Sequence, residues 1–305
     1  MKERLLPVGA ALALGGGAAA AAFAILVAVS VRRMTKRRRP DPPSDPGALG
    51  LPHQEVRFRT ADGLTLGGWW IPAPVEAGNA PALIFCHGHA GSMEGDLDLA
   101  PAFHQAGFHV LMFDFRAHGR SEGQQVSMGP LERLDVQAAA RFVQSRGVRR
   151  MGVLGFSMGG TAALLAAAEC PLVQAVAVDG AFLHLEPALA ASAQEQGLPG
   201  PLARALARIT VAVALRLLRL PTPRPAAQVG RIAPRPLLLI HGGQDRYVPL
   251  RDALTLYARA GSPKQLWLVG EAEHRRVHRC RPEAYAARLA GFFWQALADP
   301  TPPAA

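Results

Sequence analysis

Short apolar runs recur along this chain with helical segments between them, and that alternation limits the fold more than any other feature. The runs are Ala82 to Cys86, His109 to Phe113, Met151 to Leu154, Ala175 to Val178, Leu237 to Ile240 and Leu266 to Val269. Most are apolar at successive residues, so both faces of each strand must be covered. Segments with helical periodicity, such as Leu131 to Gln144, Thr161 to Glu169 and Leu250 to Ala260, lie between most of them. The pattern predicts an α/β fold: a mostly parallel, eight-stranded sheet with helices on both faces. Ahead of these runs, Glu55 to Arg59 alternates, Asp62-Gly63 turns, and Leu64 to Ile71 resumes an extended run, which reads as a β-hairpin.

One connection is too long for a simple crossover. Between Val178 and Leu237 lie roughly 55 residues, where a crossover helix takes about 10–15. The excess predicts a small helical cap over the active site, at about 182–234 within a main domain at 53–298. Its clearest helix is Pro201 to Leu220. Arg204, Arg208, Arg216 and Arg219 share one arc there, interrupted by Leu215, and apolar residues fill most of the rest.

The formal net charge is +10, which suggests a nucleic-acid partner until its distribution is considered. Lys2, Arg4, Arg32, Arg33, Lys36, Arg37, Arg38 and Arg39 precede Pro40, with Glu3 as the one acid. The rest of the chain holds 25 basic and 22 acidic residues and is nearly balanced. The excess belongs to the N-terminal segment, and no nucleic-acid face is expected. Leu5 to Val31 carries no charge and, as a helix, is longer than the roughly 30 Å hydrocarbon core of a bilayer. A cleaved signal peptide is the alternative, but the apolar stretch outruns that pattern and ends in Arg32 to Arg39. The expectation is one transmembrane helix in segment 1–39, its basic flank on anionic headgroups and, by the positive-inside rule, the catalytic domain on the cytoplasmic side. Segment 40–52, with Pro40, Pro42, Pro43, Pro46 and Gly47, reads as a semi-rigid spacer that lifts the domain off the bilayer, and 299–305 as a disordered tail. Cys86, Cys170 and Cys280 are too few and too far apart for a disulfide framework or a metal site. The oligomeric state is left open.

Chemistry concentrates at Gly155-Phe156-Ser157-Met158-Gly159-Gly160, which follows a strand and precedes a helix. That is the context of a nucleophile elbow, a turn so sharp that Gly155 and Gly159 must lack side chains. Ser157 is the candidate nucleophile. A serine hydroxyl needs a base, and the base an orienting acid. His274 and Asp245 each follow a strand end, where the loops of a parallel sheet build sites. Asp179, also at a strand end, competes with Asp245 as the acid. For the oxyanion the candidate donors are the Met158 N–H, at a helix start, and the His89 N–H, in the loop His87-Gly88-His89-Ala90-Gly91-Ser92. Gly88 is expected to let substrate approach the backbone, and His87 to brace the loop. Of the other histidines, His109 reads as a core residue, His118 as fixing the loop that contains Gly119, His241 as structural and His278 as solvated.

The elbow, the His87-to-Ser92 loop, the run Phe113-Asp114-Phe115-Arg116-Ala117-His118-Gly119-Arg120-Ser121-Glu122-Gly123 and the segments around Asp245 and His274 occur in the order of the α/β-hydrolase superfamily. Residues 53 to 297 resemble it, and most of all its membrane-tethered Bem46-like branch, which is also similar to serine aminopeptidase-type and monoglyceride-lipase-like hydrolases. The resemblance implies structural roles for Asp114 and Arg116. Ala117 stands where the family has Gly, a change expected to be neutral, and Asp179-Gly180-Ala181-Phe182 replaces a Ser/Pro-rich turn.

The expected activity is acyl-ester hydrolysis through an acyl-enzyme, with lipid-like acyl esters as substrates and no metal or organic cofactor. Ser in place of Asp at the elbow argues against dehalogenase and epoxide hydrolase chemistry. An aminopeptidase, with Glu186 as amine acceptor, an acyltransferase on the same triad and a non-catalytic membrane-tethered scaffold are the alternatives.

Overall fold

The computed structural model describes residues 8–74, 80–89, 91–219 and 222–298. The expected tail at 299–305 and the first residues of the uncharged N-terminal run lie outside the described residues. The strands are β1 (Gln54–Arg59), β2 (Thr65–Ile71), β3 (Ala82–Cys86), β4 (His109–Phe113), β5 (Met151–Phe156), β6 (Ala175–Asp179), β7 (Leu237–Gly242) and β8 (Lys264–Val269). The helices are α1 (Val8–Thr35), α2 (Ala100–Gln105), α3 (Glu132–Ser145), α4 (Met158–Ala167), α5 (Glu186–Glu195), α6 (Gly200–Leu217), α7 (Pro225–Gln228), α8 (Leu250–Arg259), α9 (Val277–Cys280) and α10 (Pro282–Leu297).

The chain forms two compact units. The larger, Lys36–His184 with Pro221–Ala305, contains one eight-stranded sheet ordered β1-β2-β4-β3-β5-β6-β7-β8. β1 and β2 form the expected antiparallel hairpin, β2 pairs antiparallel with β4, and every other pairing is parallel. The central strands bury alternate residues on opposite faces. Leu83 and Phe85, Val110 and Met112, Leu154 and Phe156, and Leu238 and Ile240 join Phe103 of α2 and Tyr285, Leu289 and Phe293 of α10 in one core. The intervening residues, such as Ile84, Val153 and Leu239, are equally buried on the other face, where α3, α4 and α8 contact the sheet.

Asp114 and Arg116 tie the loop after β4 to its surroundings. Asp114 accepts the Met93 and Arg120 N–H groups at 2.9 and 2.8 Å. Arg116 donates to buried Asp135 through Nε and Nη2 at 2.9 and 2.7 Å, and to Asp62 through Nη1 and Nη2 at 2.8 and 3.0 Å. The Arg116 hydrogen bonds hold the Asp62 carboxyl down at about 2. Ala117 takes φ 56°. An L-residue there bears left-handed strain of about 1–2 kcal/mol that Gly would not, so the substitution is not conformationally neutral.

The smaller unit, Met1–Thr35 with Leu185–Leu220, packs α1, α5 and α6 together. α6 buries Ala203, Leu206, Ala207, Thr210, Val211 and Ala214 at helical spacing and exposes Arg204, Arg208 and Arg216, the amphipathic pattern read from the sequence. In α1, Val27 and Met34 are buried, while Ile25, Leu26 and Val29 are exposed.

Two readings of the N-terminal segment need correction. Among the described residues, no helix is long and apolar enough to cross a membrane, so the expected transmembrane helix is not supported. Arg32 and Arg33 fall inside the last turn of α1, so the expected basic flank begins within the helix instead of after it. The rest of the basic block is not a free flank, and the start of the spacer does not stand off. Arg37 donates to the carbonyls of Gly119, Ser121 and Gly123 at 2.8–2.9 Å. Arg38 N–H donates to Ala117 O at 2.7 Å, and Asp41 accepts the Ser92 N–H at 2.8 Å.

Removing one partner from a buried ion pair leaves an uncompensated charge, at a cost of about 3–5 kcal/mol. Arg116→Ala should lower the unfolding free energy by about that amount in urea denaturation, because Asp135 has no exposure to water.

Candidate active site

The turn from β5 into α4 places Ser157 at φ 52°, ψ −113°, a left-handed conformation that a serine adopts only when its surroundings impose it. The surroundings here are backbone. A Cβ on Gly159 would come 2.1 Å from Cys86 O and 2.5 Å from His87 O, so the helix start can lie this close to the end of β3 only as glycine. Ser157 N–H donates to Asp179 O at 2.9 Å, which ties the turn to β6. The first N–H groups of α4, Met158 among them, have no acceptor within the helix and point out of its N-terminus.

Loops from distant parts of the chain meet Ser157 there. His274 Nε2 lies 3.0 Å from Ser157 Oγ, and His274 Nδ1 lies 2.6 Å from Asp245 Oδ2. Asp245 Oδ1 accepts the N–H groups of Tyr247 and Val248 at 2.9 and 2.8 Å, which fix the carboxylate. The Asp245 side chain is 1% exposed and that of His274 17%, so the acid is sealed and the imidazole stays reachable. Asp179 does not reach the imidazole by hydrogen bond. It accepts the Tyr285 hydroxyl at 3.1 Å, and burial pushes its carboxyl up to about 6. The unusual turn after β6 has a spatial reason: a Cβ on Gly180 would sit 3.0 Å from His274 Cε1, so glycine here makes room for the imidazole.

The loop after β3 is braced from within. His87 Nε2 accepts the Phe115 N–H at 3.0 Å, which leaves the proton on Nδ1 to be donated to Gly88 O at 2.7 Å. Burial drives the His87 pKa well down, consistent with this neutral ring. Gly88 C=O and His89 N–H belong to one planar peptide, so His87 also sets the direction of the candidate donor. His118, expected to fix the loop containing Gly119, lies with Nδ1 2.8 Å from Arg116 O in that loop and also reaches the loop after β3, with Nε2 3.1 Å from His89 O. Gly88 itself is approached from an unforeseen side, since a Cβ there would lie 2.4 Å from Arg275 Nη1.

Arg275 is the residue that sequence reasoning passed over. Its guanidinium pairs with Asp96 and lies 5.0 Å from the Phe156 ring centroid. Burial pushes Asp96 up to about 6 against the pull of Arg275. The one sequence signal was a cation directly after His274, easily taken for part of the basic run Arg275, Arg276 and Arg279. His278 is not solvated as expected: its ring packs 5.9 Å from Tyr285 and burial lowers its pKa. His109 accepts the Ala73 N–H at 2.9 Å and stacks on Trp70. His241 is buried beside the site, with its pKa lowered by burial.

Asp179 gives a pH signature. Its carboxyl titrates at about 6 when folded and near 3.8 otherwise, so between those values the folded chain binds the extra proton. Its contribution to stability is therefore greatest below about pH 4, is lost as pH rises through 6, and stays lost above. Asp179→Asn should become more stable relative to the parent between pH 4.5 and pH 7.5, by about 2 kcal/mol, in urea unfolding at the two pH values. A stability difference independent of pH would contradict this.

Comparison with known proteins agrees with this architecture. A family model described as the alpha/beta hydrolase fold matches residues 81–222. The uncharacterized protein YfhR of Escherichia coli O157:H7 is 30% identical over 252 residues, spanning 80% of this chain and 81% of its own. YqkD of Bacillus subtilis is 30% identical over 249 residues, 76% of either chain. Among solved structures, the esterase Pf2001 of Pyrococcus furiosus superposes with a TM-score of 0.73 at 25% identity, over 87% of this chain and 99% of that one. Likeness of that extent, in sequence and in fold, makes this chain a member of the α/β-hydrolase family.

Proposed function

We propose that the protein is a serine esterase that cleaves acyl esters through an acyl-enzyme, with Ser157, His274 and Asp245 as its triad. The observation that carries the reading is the unbroken hydrogen-bonded line Ser157 Oγ, His274 Nε2, His274 Nδ1, Asp245 Oδ2, with spacings of 3.0 and 2.6 Å. His274 Nε2 takes the hydroxyl proton as Ser157 Oγ attacks the ester carbonyl. Asp245 holds the imidazole in the tautomer with its proton on Nδ1 and stabilises the imidazolium that forms. The N–H groups of Met158 and His89 receive the negative oxygen of the tetrahedral intermediate. His274 then returns the proton to the leaving alcohol. Water, deprotonated by the same imidazole, releases the acid and restores Ser157. The likeness to a Pyrococcus furiosus esterase supports the ester as the bond cleaved.

Lipid-like acyl esters, met at a membrane surface, are the substrate class within this reading. It rests on the uncharged run from Leu5 to Val31 and on Ile25, Leu26 and Val29, which α1 leaves exposed. The full-length protein should float with vesicles of phosphatidylcholine and phosphatidylglycerol, and Ile25→Glu with Leu26→Glu should weaken that binding. Equal flotation of parent and variant would remove this part of the reading.

A fluorophosphonate probe tests the chemistry. It should label the parent and neither Ser157→Ala nor His274→Ala. Each of these should lower kcat on a p-nitrophenyl ester by about 10⁴–10⁶-fold, and Asp245→Asn by about 10⁴-fold. A folded parent that takes no probe would overturn the esterase reading.

A further inference from the structure

The loop that carries His89 is held from outside as well as from within, and the outer hold comes from chain that precedes the first strand. Residues 36–41 follow directly on α1 and run across two loops. Lys36 bridges to Gln125, Arg37 binds the carbonyls of Gly119, Ser121 and Gly123, and Arg38 N–H binds Ala117 O. The segment is thereby fixed on the loop after β4. From that footing it reaches the loop after β3 at two points.

Arg38 Nη2 lies 2.7 Å from His89 Nε2. The same Nη2 lies 3.3 Å from His89 Nδ1, and because a guanidinium has only donors, the imidazole is the accepting partner in this contact. Three residues on, Asp41 closes a reciprocal pair with Ser92. Asp41 Oδ2 accepts the Ser92 N–H at 2.8 Å, and Asp41 N–H donates to Ser92 Oγ at 2.8 Å. The carboxylate fits because Gly91 has no side chain, since a Cβ there would be 2.3 Å from Asp41 Oδ2. His89 is thus gripped at its ring by Arg38 and at its carbonyl by His118, and the loop is pinned at its far end by Asp41. Such investment of charged, partly buried groups in one short loop is more than chain connection requires. An oxyanion donor needs this kind of hold, because it works only about 2.7–3.1 Å from the place where charge develops.

We propose that Arg38 and Asp41 are positioning residues for the oxyanion pocket, holding the His89 to Ser92 loop so that the His89 N–H meets the tetrahedral intermediate. The proposal rests on the acyl-transfer reading of Ser157. It makes the segment that follows the N-terminal helix part of the rate-determining apparatus. Because the oxyanion exists in the transition state and not in the bound ester, loss of either hold acts on kcat and leaves KM nearly unchanged.

Full-length Arg38→Ala, Asp41→Ala and the conservative Arg38→Lys and Asp41→Asn decide it. The measurements are p-nitrophenyl butyrate kinetics, the inhibition constant of a trifluoromethyl ketone that mimics the tetrahedral intermediate, and thermal unfolding. A misplacement of about 1 Å costs about 10²-fold in rate, so each alanine variant should lose roughly 10–100-fold in kcat. KM should stay within about twofold, and inhibition by the ketone should weaken by the same factor as kcat. Asp41→Asn keeps an acceptor oxygen for the Ser92 N–H and should recover most of the rate, while Arg38→Lys, too short to reach His89, should fall between parent and alanine. Arg38→Lys retains most of the side chain and carries the comparison if an alanine variant does not fold. An alanine variant or Arg38→Lys with parental kcat overturns the proposal. So does a kcat loss that tracks thermal destabilisation without weakening the ketone. A parent that neither takes the fluorophosphonate nor hydrolyses the ester overturns the esterase reading itself, and this proposal with it.

Discussion

At Ser157 the backbone reverses from strand to helix through a left-handed residue, in a space bounded by carbonyl oxygens of the neighbouring strand. Strain of this kind, of order 1–3 kcal/mol, persists only where the surrounding structure imposes it. Here the imposing parts are the middle of the sheet. β5 lies between β3 and β6, the Ser157 N–H is taken by Asp179 O, and Gly159 presses on the end of β3. The central strands and α4 are buried throughout, so the hydrophobic core holds the turn in place. The serine and the helix N-terminus are presented together, and the remaining groups have only to be brought to a fixed point.

The loops that meet this point are rigid for different reasons. The Asp245 loop is held by two backbone N–H donors to its carboxylate, so the acid is oriented by its own turn. The His274 loop is held by Arg275, which reaches back to Asp96 beyond the loop after β3. The loop after β3 is held by His87 and His118 from the body and by Arg38 and Asp41 from the N-terminal segment. Buried polar groups are strong when paired and costly when not. A network that carries this many of them around Ser157 fixes geometry more than it adds stability.

Much of this was legible in sequence because it rests on local rules. A strand apolar on both faces announces a parallel sheet, and β3 and β4 begin and end where the apolar runs do. Glycines two residues either side of a serine, between a strand and a helix, announce the elbow. Asp245 and His274 were legible by chain order and by their place after strand ends. The choice between Asp245 and Asp179 was not, because both end strands and only distance separates them: one is 2.6 Å from the imidazole, the other bonded to Tyr285. Arg275 and Arg38 were hidden for a different reason. A cation in a basic run looks solvated until its partner is known, and the partners, Asp96 and His89, are 179 and 51 residues away in sequence.

The N-terminal segment shows the same division most plainly. Sequence by itself determined that residues 5–31 lack charge, that a basic block follows, and that prolines then stiffen the chain, since those are properties of composition. Which arginines end α1 and which bind the body depends on where carbonyl oxygens of Ala117, Gly119, Ser121 and Gly123 converge. The sheet, the elbow and the order of the candidate site residues follow from periodicity and turn chemistry, which act over a few residues. The pairing of charges across loops was decided by tertiary structure alone, because hydrogen bonds are set by distance in space and the sequence records only distance along the chain.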